Sequence, residues 1–152
     1  MLTPMDESIA AGDSAEQRAA EVVMLEALGN EVGAVLMKRR FRPVQGTWTE
    51  VDGVCDDPPT LVEVWAHQGP PRPAQKAKVM TDAAKMVWVE AEFFPRGARK
   101  ILLLADPAAA AHFRGASWMA AALAHFGIEV RVVDLPPNHL EAVQIAQVRQ
   151  VR

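Results

Sequence analysis

Residues 101–105, Ile-Leu-Leu-Leu-Ala, form an unbroken apolar run closed by Lys100 on one side and by Asp106-Pro107 on the other. The run is far shorter than the roughly 20 residues a membrane span needs, and its lack of polar alternation predicts a strand covered on both faces. Such a strand requires helices above and below it, which narrows the chain to an α/β fold. The neighbouring segments agree. A long helix is expected over 74–92, after a turn holding Pro70, Pro71 and Pro73, with another helix over 107–126, a strand over 128–133 and a last helix over 139–151.

The first half of the chain is patterned differently. Ser14 followed by Gln17 is a capping-box start, and Val22, Met24, Leu25 and Leu28 supply an apolar stripe that ends at Gly29-Asn30. A short helical or irregular piece then passes Val35 and Met37. Residues 41–44 and 48–55 flank Gln45-Gly46-Thr47, a hairpin composition, and Asp56-Asp57-Pro58-Pro59 separates them from a third strand over 60–65. The expected order is one helix, a three-stranded meander, then α-β-α-β-α, giving a mixed sheet flanked by helices. Residues 1–13 lack periodicity and are expected to be a flexible tail; 14–152 form one domain.

Charge and cysteine content restrict the function. The acidic amino terminus lacks the basic start of a signal peptide, so a cytoplasmic protein without a membrane partner is expected. Cys55 stands alone, which rules out an internal disulfide, has no ligand-spaced neighbours for zinc, and is expected to be a small buried side chain. The net charge of −3 argues against holding nucleic acid by bulk electrostatics. Its distribution is uneven: residues 1–31 carry seven acids and one base, whereas residues 38–100 carry eleven bases and eight acids.

Two acids interrupt apolar strands. Asp52 lies between Val51 and Gly53, and Glu63 between Val62 and Val64. A carboxylate at a half-buried sheet position costs several kcal/mol unless it is paired, protonated or bound to a cation. Two of them on neighbouring strands repel, and a hard, oxygen-liking ion such as Mg²⁺ relieves that repulsion.

With an acid-bearing helix in front, Asp52 on the second strand and Glu63 in the third, the order of elements over residues 14–133 resembles the restriction-endonuclease-like PD-(D/E)XK phosphodiesterase superfamily. Val-Asp-Gly-Val (51–54), Val-Glu-Val-Trp-Ala-His-Gln-Gly (62–69) and the following Ala-Gln-Lys-Ala-Lys-Val (74–79) are similar to small bacterial members of it. The resemblance implies a metal, Mg²⁺ or Mn²⁺, held by Asp52 and Glu63 with the Val64 carbonyl and Glu21. It also implies hydrolysis of nucleic acid, DNA rather than RNA. One departure matters: Trp65 stands where the superfamily's third strand has its lysine. Some members carry that lysine on the next helix, which makes Lys76, expected on the core-facing arc with Ala77, Met80, Ala83, Ala84 and Val87, the first candidate. Lys78 is the reserve, with Gln75 orienting a carboxylate or water.

Other residues carry less. Glu26 lies off the face that Glu21 shares with Met24, Leu25 and Leu28. His67 has no ligand-spaced partner, and of Trp48, Trp65, Trp88 and Trp118, which could stack bases, three fall inside expected elements as core. The leading expectation is a metal-dependent nuclease with catalytic Asp52, Glu63, Lys76, Lys78 and Gln75. The alternative is a catalytically degenerate module of the same fold that binds or assembles, and a homodimer or larger complex stays open. A doubly wound nucleotide-binding domain ranks lower, because no glycine fingerprint is present.

Overall fold

The computed structural model describes residues 14–150; the tail expected over 1–13 lies outside them. The elements run α1 (Ala15–Val32), β1 (Met37–Phe41), β2 (Thr49–Asp56), β3 (Pro59–Trp65), α2 (Pro73–Phe93), β4 (Arg99–Leu104), α3 (Pro107–Arg114), α4 (Trp118–His125), β5 (Ile128–Val132) and α5 (Pro137–Gln150). The five strands form one mixed sheet in chain order, β1 to β3 antiparallel and β3 to β5 parallel. Among the described residues no helix is long and apolar enough to cross a membrane.

β4 is the strand the apolar run requires. Ile101 and Leu103 join Val62 and Val64 of β3 under Ala20, Met24 and Leu28 of α1 and Val143 of α5. Leu102 and Leu104 join Leu61 and Trp65 under Val79, Ala83, Met86 and Val89 of α2 and under α3 and α4. Successive side chains leave a strand on opposite faces, so the two faces build two cores and a three-layer α/β/α molecule. Glu63 falls between Leu61 and Trp65, in the row that faces α2.

Several boundaries differ from expectation. Ser14 does cap α1, its hydroxyl accepting from Gln17 N at 3.1 Å. The helix, however, continues through Gly29-Asn30 to Gly33, which takes the left-handed conformation (φ 72°) that stops it. Residues 37–41, not 41–44, form β1. The helix expected over 107–126 breaks at Gly115, and Ser117 caps α4 by accepting from Ala120 N at 3.0 Å. Cys55 is half-buried rather than buried, and Trp118 is 68% exposed rather than core.

The largest departure is the rotation of α2. Its buried positions are Val79, Ala83, Met86 and Val89; of the expected arc Ala83 is buried and Met80 and Val87 pack at the edge of the core, while Ala77 and Ala84 are exposed. Nearly every face of α2 carries an apolar side chain, so hydrophobicity alone permits more than one orientation. Burying Val79, Ala83 and Met86 places Lys78, Asp82 and Lys85, each one position earlier and about 100° around the helix, beside the sheet.

Candidate functional site

The site begins with an irregularity in β2. Met37 pairs with Val54 but Arg39 pairs with Val51, so one β1 residue, Lys38, opposes two of β2, Asp52 and Gly53. This bulge explains why Val51 and Val54, three residues apart, both enter the core beneath α2. Gly53 suits it because a Cβ there would come within 2.7 Å of Leu25 Cδ2 and 3.3 Å of Leu36 Cβ. The β2–β3 ladder runs to Gly53 opposite Val62. One residue beyond, the Asp52 side chain replaces the main chain, its Oδ2 accepting from Val64 N at 3.0 Å.

Asp52 therefore lies opposite Glu63 and beside it. Glu63 is only 2% exposed, and its Oε1 has the Lys85 ammonium at 2.6 Å but no aligned hydrogen-bond donor. Burial above all, and then the Asp52 and Asp82 carboxylates, push its pKa up to about 10, because together they outweigh the pull of Lys85. Asp82 joins the two lysines, with Oδ2 3.3 Å from Lys78 Nζ and Oδ1 3.6 Å from Lys85 Nζ. The lysine pKa values are raised by these carboxylates against the opposing effect of burial.

These groups line a cavity of about 490 Å³ that also receives Glu21 and Arg18 of α1, Lys38, Glu50, Val64 and Trp65 of the sheet, and Arg72 and Gln75 at the start of α2. Of the residues singled out from sequence, Asp52, Glu63, Val64, Glu21, Lys78 and Gln75 are thus brought together. Glu26 lines an adjoining, mainly apolar cavity beside α1 that shares Lys38 and Asp52 with this one.

Two assignments need correction. Lys76 is not at the site: the rotation of α2 turns it toward α3, where its charge helps lower the pKa of His112 behind the larger effect of burial. Gln75 lines the cavity, but its amide is engaged elsewhere. Its Oε1 accepts from Arg72 N at 2.8 Å, and its Nε2 lies 3.2 Å from His67 Nδ1. Burial lowers the His67 pKa and so favours the neutral ring, which can accept that bond while stacking on Trp65 at 4.6 Å. Gln75 and His67 brace the end of β3.

Lys85 and Asp82 are the residues that sequence reasoning missed. The signal was present, because Lys78, Asp82 and Lys85 recur at four and three residues as a polar stripe. Such stripes usually meet solvent; this one meets the buried Glu63.

The residues that would hold Mg²⁺, were it bound, are Asp52 and Glu63. The ion favours carboxylate oxygens, commonly takes one or two carboxylates from the protein, and fills its remaining positions with water or substrate phosphate. Glu63 Oε1 is a buried acceptor lacking an aligned donor. Among the described residues no group of three or more His, Cys, Asp or Glu side chains is arranged to hold a metal. Compared with protein-family models, curated proteins and solved structures, the chain matches none.

Proposed function

We propose that the protein is a restriction-endonuclease-like, metal-dependent phosphodiesterase of the PD-(D/E)XK type, acting on nucleic acid. The observation that carries this reading is the meeting of Asp52 with the buried Glu63 beside two lysines of the following helix. Asp52 and Glu63, with the Val64 carbonyl and Glu21 in support, would hold Mg²⁺ or Mn²⁺, which supplies Lewis-acid polarisation of the phosphate. Lys85, held against Glu63, stands in for the lysine that Trp65 displaces, and its ammonium orients the attacking water. Lys78 is more exposed and is placed to neutralise charge developing on the phosphate oxygens.

The Lys85–Glu63 contact also favours the second reading, a catalytically degenerate module. An ammonium 2.6 Å from Glu63 already occupies the place beside this buried acid that a metal would need. Incubating labelled single- and double-stranded DNA and RNA with the protein in Mg²⁺, Mn²⁺ or EDTA separates the two. Metal-dependent cleavage that Asp52→Asn and Glu63→Gln abolish is expected. Absence of cleavage on all four substrates would leave the degenerate module.

A further inference from the structure

The same region of sheet carries a second surface. β1 is an edge strand reading Met-Lys-Arg-Arg-Phe, and Arg42 follows it directly. Alternation separates the row into two sets. Phe41 enters the core beneath α2, whereas Lys38 and Arg40 are exposed about 6.7 Å apart along one side, and Arg42, also exposed, follows just past the strand. Four bases, Lys38, Arg39, Arg40 and Arg42, face two acids, Glu50 and Asp56, which leaves an excess of two positive charges in a protein whose net charge is −3.

An aromatic group sits within this row. Trp48, just before β2, is 45% exposed, and the Arg40 guanidinium carbon lies 4.0 Å from the centroid of its ring. The guanidinium covers one face of the indole and restrains it. A half-exposed tryptophan in a basic row matches the recognition of unpaired nucleic acid, where cations follow the phosphates and aromatic rings stack with bases. Paired bases inside a duplex cannot offer their faces to such a ring. The row also reaches the carboxylates, because Lys38 and Glu50, which contact each other, both line the Asp52–Glu63 cavity.

We infer that the β1–β2 hairpin, through Lys38, Arg40, Arg42 and Trp48, is a docking surface for single-stranded nucleic acid leading into the Asp52–Glu63 cavity. The inference rests on the proposed action on nucleic acid but not on turnover. It is tested without cleavage, by fluorescence anisotropy of a labelled single-stranded oligonucleotide and of its duplex, in EDTA, over a range of salt. The single strand is expected to bind more tightly than the duplex. Trp48→Ala should weaken single-strand binding by about tenfold and Trp48→Phe should restore most of it, the change expected for one lost stacking partner. Arg42→Ala should reduce the slope of log affinity against log salt by about 0.7, as for one lost phosphate contact.

Binding of duplex as tight as of single strand, Trp48→Ala and Arg42→Ala variants that bind like wild type, or no binding to either oligonucleotide would overturn the docking surface. The two proposals fail separately. A protein that binds as expected but never cleaves in Mg²⁺ or Mn²⁺ keeps the surface and loses the phosphodiesterase. One that cleaves while these variants bind unchanged keeps the activity and loses the surface.

Discussion

Asp52 has two functions that substitution can separate. Its charge raises the pKa of Glu63, and its Oδ2 is the acceptor for Val64 N. Asp52→Asn keeps an acceptor and removes the charge, so the metal-free protein should melt at or slightly above the wild-type temperature. Asp52→Ala also leaves the Val64 amide without its partner and should be less stable than Asp52→Asn by about 1–3 kcal/mol, read from thermal or urea unfolding in EDTA. Glu63 determines a pH response. Its raised pKa means that the folded protein keeps a proton that the unfolded chain releases above the ordinary carboxyl range. The stability this group contributes is therefore fully present at low pH and is lost progressively as pH rises toward about 10. Lys85, also raised, stays charged through that window. Urea unfolding in EDTA between about pH 6 and about pH 9 should show the decline in wild type and a flatter profile in Glu63→Gln; equal slopes would show that Glu63 is ionised in the metal-free fold.

At the scale of elements, the decisive feature is which side of α2 faces the sheet. On the proposed mechanism, in which the ammonium acts on water or the transition state, Lys85→Ala should reduce cleavage on the order of 100-fold while metal affinity falls far less. Lys76→Ala should leave turnover unchanged, because Lys76 points away from the cavity. A steady-state assay of both variants checks the pair; loss of activity in Lys76→Ala alone would mean that α2 packs in the orientation that hydrophobicity first suggested. The meander, the proline turn and the parallel strands were legible because Gly and Pro punctuate them and because β4 is apolar throughout. The break at Gly115 was not legible. Ala-rich sequence on either side supports a helix equally well, and only the contacts of Phe113 and Leu123 with the sheet fix two separate axes.

At the scale of the molecule, β4 joins two cores, so damage there should be global. Leu103→Ala removes a fully buried side chain from beneath α1 and should cost about 2–5 kcal/mol, lowering the melting temperature by several degrees without altering the charged cavity directly. A melt accompanied by near-ultraviolet circular dichroism would register the loss. The chain alone determines that a covered strand exists, that helices lie on both its faces, and that Asp52 and Glu63 interrupt neighbouring strands. Those features follow from local periodicity and from the cost of burying charge. Tertiary structure alone decided the bulge at Asp52-Gly53, the rotation of α2 that exchanges Lys76 for Lys85, and the use of Gln75 as a brace for His67. Each depends on a partner distant in sequence: Lys38 opposite the bulge, Glu63 opposite Lys85, and the end of β3 against the first turn of α2. Hydrophobic periodicity could not orient a helix apolar on nearly every side; the contact of Lys85 with the buried Glu63 carboxyl marks the face that meets the sheet.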